Sequence, residues 1–378
     1  MHSLKMKFFS LAAAGALCVS LAGCNLSTPA TVGTIGGVEI PAGVYLLAQY
    51  NAYNTASGVA ELATGETAQN VKAVLKAECT GTIGDEEVTA TGSEYVEKLT
   101  LRAIEYYAAV EKTFSELGGE LSEDAVAEAA ETADSLWESN GDLYTKNGIG
   151  KESVRTYLLN SQKAKAILEL QYGENGTAPV TDEELTAYIN DNCYYIESVQ
   201  LPLMDYSTYS FATEEQDAAI SAIADDCLAY LEETATGETA ASDTLYTAAM
   251  TYVPQAVAAM GGELDAYSAV YYASSQLYTP EDVASFASGD TNTLTDPLDE
   301  AGNGQWVKID LGMSYLVARR LDPLTARTLD ELNSQYDLLD SMKSGDVQAE
   351  LYETGAGLEH TLNTSALKTY SADKIKKS

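Results

Sequence analysis

Apolar residues recur at steps of three and four between Val96 and Phe114, and this spacing constrains the fold more than any other feature of the chain. The stripe consists of Val96, Leu99, Ala103, Tyr107, Val110 and Phe114. These positions share one face of a helix, which we predict to end at Leu117-Gly118-Gly119. A helix with such a stripe buries it against other helices, so the first half of the chain is predicted to be a helical assembly.

The rest of the first half fits that assembly. We predict a hairpin over Val32–Ile40, where apolar residues alternate on each side of Gly36-Gly37, a pair that suits a two-residue turn. The Gly/Thr-rich stretch Cys79–Gly92 is predicted to be a loop or a small insertion. Further helices are predicted from Pro41 to about Tyr53, from Ser122 to about Ser139 and from Lys151 to about Tyr172.

The helical pattern stops at Gly173–Thr177, and a mixed pattern follows. The predicted elements are a helix over Glu183–Asn190, a strand over Tyr194–Leu203, a helix over Glu214–Glu233, a short helix beginning at Thr279-Pro280, and strands over Trp306–Ile309 and Tyr315–Leu321. Thr328 and Glu331 then cap a last long helix. The predicted fold class is therefore mainly α with an α+β insert.

Charge and histidine content exclude several functions. The 378 residues include 57 Asp and Glu but 21 Lys and Arg, a net charge of −36, so a nucleic acid would be repelled. The only histidines are His2 and His360. The chain therefore has too few histidines to favour a Ser-His-Asp triad or a histidine-based zinc site. We expect no metal site and no cofactor.

The N-terminal segment resembles a bacterial lipoprotein signal. Lys5 and Lys7 precede a short apolar stretch that ends in Leu21-Ala22-Gly23-Cys24. This resemblance implies removal of residues 1–23, attachment of lipid to Cys24, and a tether over 24–32. The predicted location is extracytoplasmic, lipid-anchored to the cell membrane of a bacterium, since two acyl chains hold stably where one is marginal. No later run approaches the ~18 apolar residues of a membrane-spanning helix.

Three cysteines remain after that processing: Cys79, Cys193 and Cys227. Their spacing matches no metal cluster. An exported protein could contain a Cys193–Cys227 disulfide, but buried free thiols are the favoured prediction.

The segment 166–307 contains no Lys or Arg, although it contains 25 Asp and Glu and 13 of the 25 tyrosines. Three interpretations stay open. It forms a solvated acidic surface, or a surface that attracts cationic unfolded segments and holds them against tyrosine rings, or a set of carboxylates that binds calcium. The third is the least favoured because the chain lacks a D-x-[DN]-x-[DN]-G loop.

The order of these pieces resembles the PrsA/SurA-like extracytoplasmic foldases, which contain a parvulin-type peptidyl-prolyl isomerase domain. The similar stretches are Gly148–Leu158, Val180–Tyr188, Tyr194–Leu203, Gly261–Leu264, Tyr278–Phe286, Ser314–Arg320 and Leu362–Lys374. The resemblance implies a discontinuous SurA-like helical chaperone domain, formed by residues 33–177 and by a C-terminal helix and tail, 324–378, that packs on them. It also implies a parvulin-like domain over 178–323, with about four antiparallel strands and short helices.

The chain departs from this family where the isomerase pocket belongs. The family has one histidine on the first strand and one on the last, whereas here Ser198–Leu201 contains none and Leu316 occupies the second position. The resemblance therefore implies a degenerate parvulin domain with weak or absent isomerase activity, and no catalytic residue is assigned. The candidate residues for an apolar cup that contacts clients are Tyr267, Tyr278, Phe286 and Leu316.

The function implied by the resemblance is that of a lipid-anchored chaperone or foldase that binds unfolded or nascent exported proteins. Two alternatives remain. One is a solute-binding lipoprotein of an importer, which requires two lobes of parallel sheet. The other is a non-catalytic assembly lipoprotein built on the same scaffold. The sequence leaves dimerisation open.

Overall fold

The computed structural model describes residues 29–205, 208–237 and 242–377. The predicted leader, Cys24 and most of the predicted tether lie outside these residues, so lipid attachment remains a prediction. Within the described ranges the fold is mainly helical, with small antiparallel sheets. None of the helices in these ranges has the length and apolar character needed to cross a membrane.

Two hairpins and five helices make up the first part of the described chain. They are β1 (Thr31–Ile35), β2 (Val38–Pro41), α1 (Ala42–Val59), α2 (Val71–Lys76), β3 (Glu78–Ile83), β4 (Glu86–Thr91), α3 (Gly92–Glu116), α4 (Glu123–Lys146) and α5 (Lys151–Tyr172). The predictions of the first hairpin, of α3 and of α5 are confirmed. Helix α4 continues past Ser139 because its last turns bury Tyr144, whose ring packs edge-on against Tyr50 at 6.2 Å.

Residues 178–323, called the insert from here on, contain a mixture of short helices and strands. They are α6 (Asp182–Asn192), β5 (Tyr194–Pro202), β6 (Met204–Asp205), β7 (Ser210–Phe211), α7 (Glu214–Thr234), α8 (Ser242–Ala259), α9 (Ala266–Ala269), β8 (Ala273–Tyr278), α10 (Pro280–Ala284), β9 (Ala287–Ser288), β10 (Thr291–Asn292), α11 (Thr295–Ala301), β11 (Val307–Asp310) and β12 (Ser314–Leu321). A 3₁₀ turn, Val270–Tyr272, joins α9 to β8.

The chain ends in α12 (Pro323–Ala326), α13 (Leu329–Tyr336), α14 (Leu338–Ala356), β13 (His360–Leu362), α15 (Thr364–Thr369) and a 3₁₀ turn, Ala372–Lys374. The single last helix predicted from Thr328 is in fact two helices. Asp337 separates them with a φ of 47°, in the left-handed region that interrupts the helical hydrogen-bond ladder. The capping box between Thr328 and Glu331 is present as predicted.

The C-terminal strand β13 completes a three-stranded sheet with the first hairpin, in the order β13-β1-β2. Ile35 lies opposite His360, and Gly33 lies opposite Leu362. The backbones approach so closely that a Cβ added at Gly33 would lie 2.3 Å from the carbonyl oxygen of Thr361. The hydroxyl of Tyr370 also donates to the carbonyl of Pro29, 341 residues away along the chain. The two ends of the described chain therefore belong to one folded unit.

Helix α3 is the centre of that unit, and α1, α5 and α14 all pack on it. Its start is fixed by a capping box between Thr91 and Glu94. Val347 and Leu351 of α14 pack into a buried cluster whose other members are Ala109, Val110, Phe114, Ile167 and Leu168. The C-terminal helix thus covers part of the apolar stripe that the sequence identifies on α3. We refer to α1–α5, α14 and β13 together as the helical body.

The Cys79–Gly92 stretch is a regular hairpin, β3–β4, instead of the predicted loop or small insertion. Its strands run in register from Glu78 opposite Thr91 to Ile83 opposite Glu86, with a tight turn at Gly84. Threonine is β-branched and favours strands, so the Thr content of this stretch stabilises pairing even though one face is exposed.

The insert is built on a four-stranded antiparallel sheet in the order β11-β12-β5-β8. One face packs on α7 and α8 through a cluster that includes Val199, Leu201, Tyr315 and Val317. Helix α8 was not predicted from the sequence, and it contains Pro254 in its interior. The end of the sheet formed by Tyr195 and Leu321 packs against α6 and α13, which lead back to the helical body.

Candidate functional site

The two central strands of the sheet, β5 and β12, contain the positions where the family resemblance locates the isomerase pocket. Their register puts Leu316 opposite Gln200 and Ala318 opposite Ser198, on the face turned away from α7 and α8. The amide Nε2 of Gln200 donates to Oγ of Ser314 at 3.0 Å. This face therefore presents amide and hydroxyl groups next to Leu316, where the family has imidazoles.

The second histidine of the chain lies far from this face, on β13 of the helical body. Its Nε2 is 3.2 Å from Oε1 of Glu105 on α3. Among the residues that the structure describes, no imidazole therefore lies on the central strands. A serine hydroxyl or a glutamine amide with no base beside it can position a peptide by hydrogen bonds, but it cannot move a proton at neutral pH.

The four predicted cup residues do not form one group. Leu316, Tyr278 and Phe286 belong to one apolar cluster under α10 and α11, whose buried members include Ile196 and Leu298. Leu316 is only 7% exposed, so it acts as a core side chain in this conformation. Tyr278 and Phe286 are half-buried at the edge of the cluster.

Tyr267 lies elsewhere, on α9, and is 85% exposed. The structure therefore brings three of the predicted residues together and separates the fourth. Sequence spacing does not predict this separation, because the position of α9 depends on how α8 packs on the sheet.

A second surface of the insert, which sequence reasoning did not assign, contains most of the exposed large apolar side chains of the described residues. It lies at the end of the sheet where β5 finishes, opposite the end that faces α6 and α13. We call it the distal surface, and it consists of Tyr209, Phe211, Tyr267, Tyr271 and Met313.

Strand pairing brings Phe211, Met313 and Tyr271 toward the same end of the sheet; Tyr209 immediately precedes β7, and α9, which contains Tyr267, directly precedes the turn that contains Tyr271. Met204 pairs with Phe211 in the β6–β7 hairpin, which continues directly from β5. The amide of Leu203 donates to the carbonyl of Met313 at 2.8 Å, in the turn between β11 and β12. The 3₁₀ turn with Tyr271 leads into β8, whose first residue, Ala273, lies opposite Val199 of β5.

Local sequence signals explain why these side chains point outward. Gly312, with a φ of 76°, makes the tight turn that presents Met313. Asp265 accepts hydrogen bonds from the amides of Tyr267 and Ser268 and so begins α9. Hydrogen bonds from Ser268 lower the pKa of Asp265, which keeps this carboxylate charged beside Tyr267.

The charges around the distal surface are negative. Glu214 and Glu215 are exposed at the start of α7, Glu263 is exposed just before α9, and Asp310 is exposed at the end of β11. The nearest basic residue in the sequence is Lys308, and its ammonium group already binds Asp225 and the hydroxyl of Ser221. The other salt bridges within the insert's described residues lie toward the opposite end of the sheet.

A buried ion pair between Arg319 of β12 and Glu197 of β5 connects the two central strands of the sheet. Nε of Arg319 is 2.9 Å from Oε2 of Glu197, and Nη1 donates to the carbonyl oxygens of Ala235 and Gly237. The guanidinium also lies over the ring of Trp306, 4.9 Å from its centroid. This network holds the C-terminal end of α7 against the sheet.

The three cysteines predicted to remain are free thiols, and all are buried. Burial raises the pKa of Cys193 to about 11 and that of Cys227 to about 12, and it also raises the pKa of Cys79. The Cys193–Cys227 disulfide, which the sequence allowed, is absent. Thiols with such pKa values are protonated at neutral pH and are poor nucleophiles.

Two shallow clefts occur elsewhere in the described chain. One, of about 400 Å³, lies along α4 between Trp137 and Thr145. The other, of about 610 Å³, lies at the end of the sheet near α6, between Cys193 and Asp322. In residues 29–205, 208–237 and 242–377, no three or more His, Cys, Asp or Glu side chains are grouped so as to hold a metal ion.

Comparison with known proteins gives structural neighbours but no family. No family model and no curated protein matches the chain. A peptidylprolyl isomerase (PrsA) from Bacillus anthracis is 10% identical, with a TM-score of 0.24, and the match covers 73% of this chain and 96% of that one. The foldase protein PrsA from Streptococcus pneumoniae is also 10% identical, with a TM-score of 0.33, over 77% and 98% of the two chains. Similarities of this size establish no shared activity.

Proposed function

We propose that this protein is a lipid-anchored extracytoplasmic chaperone of a bacterium, which binds unfolded exported proteins and delays their aggregation. The observation that carries the proposal is the distal surface. Tyr267 and Tyr271 are 85% and 88% exposed, and Phe211 and Met313 lie at the same end of the sheet. Exposed apolar groups gathered in one place usually mark a binding site.

The architecture supports this function because it gives the binding surface a rigid support. The insert joins the helical body at the end of its sheet near α6 and α13. The distal surface therefore lies at the far end of the molecule from the body. Such an arrangement leaves the surface accessible to a large, irregular client, as a chaperone requires.

The proposed activity is binding without catalysis of prolyl isomerisation. Rotation about an X–Pro bond has a barrier of about 18–20 kcal/mol, which an isomerase lowers by desolvating the imide and stabilising its twisted form. Here the position of the second family histidine is occupied by Leu316, which is itself buried in the core. The burial of Leu316 among the protein's own side chains supports binding without isomerisation.

An aggregation assay tests the proposal. The chain from residue 29 onward should suppress the aggregation of a reduced, unfolded protein at near-stoichiometric amounts, and serum albumin at the same concentration is the control. Aggregation at the control rate would overturn the proposal. In a parallel prolyl-peptide assay, we expect a rate equal to that of buffer alone.

The alternative of a solute-binding lipoprotein has little structural support. Such proteins form two lobes of parallel sheet around a cleft, whereas every strand pair in the described ranges is antiparallel. A solute binder would gain several degrees of melting temperature with one small molecule. The alternative of a non-catalytic assembly lipoprotein predicts no effect on the aggregation of unrelated proteins, so the same assay distinguishes it.

A further inference from the structure

We propose that the distal surface selects cationic segments of its clients, so that Lys- and Arg-rich apolar stretches of unfolded chains are its ligands. This inference rests on the proposed function and names the substrate class for that site. It is carried by two independent properties of the surface, which are the exposure of its apolar side chains and the sign of the charges around them.

The apolar property suits unfolded segments of varied sequence. Tyrosine offers a large contact area with few rotatable bonds to order, and its hydroxyl can bond to peptide groups. Met313 adds a flexible, polarisable side chain that adapts to different partners. Tyr209 and Phe211 belong to the β6–β7 hairpin, Tyr267 lies on α9 and Tyr271 lies in the 3₁₀ turn that follows it, so the surface is assembled from separate elements.

The electrostatic property decides which segments bind. Glu214, Glu215 and Glu263 are exposed carboxylates beside the surface, and none of them takes part in a salt bridge within the described residues. Lys308, the only basic residue between Lys165 and Arg319, is held by Asp225 on the side of the sheet that faces α7. An incoming Lys or Arg therefore meets unneutralised negative charge, whereas an incoming Asp or Glu meets repulsion.

The same charges disfavour the other partners that an exposed aromatic surface could take. A membrane with anionic lipids would repel a surface bordered by carboxylates. A second copy of this chain would bring like charges together, because each chain has a net charge of −36. A cationic unfolded segment is the one partner that satisfies both properties.

A pair of labelled peptides tests the selectivity directly. Both have the same apolar residues, but one has four Lys or Arg where the other has four Glu, and binding is followed by fluorescence anisotropy. We expect the cationic peptide to bind at least ~tenfold more tightly at low salt. The difference should shrink at about 1 M salt, where the Debye length falls to about 3 Å. Equal affinities at low salt would overturn the inference.

Matched variants at the two ends of α7 test where the cationic peptide binds. E214Q/E215Q removes charge at the start of α7, beside the distal surface, and E232Q/E233Q removes the same charge at its other end, which is ~30 Å away at 1.5 Å per residue. We expect the first variant to weaken the binding of the cationic peptide by ~3–10-fold. The second variant should leave binding within ~twofold, and equal effects of the two would contradict the location.

A second pair of variants tests the aromatic contribution. Y267S/Y271S should weaken peptide binding by ~tenfold or more, because exposed aromatic anchors dominate binding energy. The control is Y246S, since Tyr246 is also exposed but lies at the start of α8, ~20 Å along the helix axis from Ala259. Melting temperatures of all four variants show whether each one is folded.

The outcomes separate this inference from the proposed function. If the protein suppresses aggregation but the variants and peptides show no charge preference, the inference fails and the chaperone function stands. If the protein neither suppresses aggregation nor binds either peptide, the proposed function itself fails.

Discussion

Arg319 and Glu197 form an ion pair between neighbouring central strands, with Nη2 of the arginine 2.8 Å from Oε2 of the glutamate and side chains that are 2% and 1% exposed. Loss of one partner from a pair buried to this degree strongly destabilises the fold, because the remaining charge has no solvent to stabilise it. The pair also connects β5 and β12 to the end of α7 through Ala235.

Removing one member of this pair should lower the free energy of unfolding more than removing a member of an exposed pair. Glu197→Gln is expected to lower the free energy of unfolding by about 3–5 kcal/mol, since Arg319 would stay buried without a counterion. Asp225→Asn, in the exposed pair with Lys308, should cost less than about 1 kcal/mol. Urea denaturation of both variants measures the difference, and equal losses would show that the burial of the pair contributes nothing.

Two glycines of α14 should respond in opposite directions to alanine. A Cβ at Gly355 would lie 2.5 Å from the carbonyl oxygen of Glu105 on α3, whereas a Cβ at Gly345 would have nothing within 4 Å. Gly355→Ala is therefore expected to destabilise the protein by about 1–3 kcal/mol, because α14 and α3 would be forced apart. Gly345→Ala should stabilise it by about 0.5–1 kcal/mol through helix propensity. Thermal denaturation compares them, and a stable G355A protein would mean that α14 is loosely held.

Truncation of Leu316 should affect stability in the way expected of a core residue. Leu316→Ala is expected to lower the free energy of unfolding by about 2–5 kcal/mol, because it leaves a cavity in the cluster under α11. Met313→Ala, at a side chain that is 51% exposed, should change it by no more than about 0.5 kcal/mol. If L316A weakened peptide binding without loss of stability, Leu316 would instead be a client contact.

The pH dependence of stability should contain opposite contributions from two glutamates of α3. Burial raises the pKa of Glu105, with His360 and Arg102 opposing that effect, whereas hydrogen bonds with Thr91 lower the pKa of Glu94. Glu105 therefore stabilises the fold when protonated, and that contribution is lost as the pH rises from about 4 through its raised folded pKa. Glu94 stabilises the fold when ionised, and that contribution is lost as the pH falls through its lowered pKa.

Unfolding free energies of the wild type, E105Q and E94Q between about pH 3 and pH 7 check these signs. The stability of E105Q relative to the wild type should increase with pH, and that of E94Q should decrease. The same slope for both variants would contradict the assignment of burial to one and hydrogen bonding to the other.

The three buried thiols should be inert until the protein unfolds. In the chain from residue 29 onward, Cys79, Cys193 and Cys227 are expected to react with a thiol reagent at least ~100-fold more slowly in the native state than in urea, because burial keeps them protonated and inaccessible. All three should react after unfolding under non-reducing conditions. Reaction of a single thiol would reveal a disulfide between the other two.

The sequence predicted elements whose signals are local. The hairpin at Gly36-Gly37, the bounds of α5 and the capping box at Thr328 depend on residues within a few positions of one another, and each is present. The buried stripe of α3 is also predictable from the sequence, because its apolar residues are spaced at the period of the helix that contains them.

The sequence did not predict the elements whose formation depends on tertiary contacts. Strand β13 has three residues and no alternation, and it forms only because Gly33 of β1 lets its backbone approach. Pro254 argues against a helix in sequence terms, yet α8 forms because its apolar residues pack on the sheet. The sequence analysis named Tyr267 and the acidic, tyrosine-rich segment around it, but it could not assemble the distal surface, since only the folded sheet brings Met313 to the end at which Tyr271 lies.

The pairing of Ile35 with His360 has a consequence for the order of events during synthesis. A ribosome delivers the chain from its N-terminus, so β1 and β2 emerge long before the strand that completes their sheet. Contacts of such high sequence separation form late, because the loop between them must first close. The insert, whose partner strands are nearer in sequence, can reach its own structure sooner. Until β13 has been synthesised, one edge of β1 therefore stays unpaired, and the molecule is itself exposed to the aggregation from which it is proposed to shield other proteins.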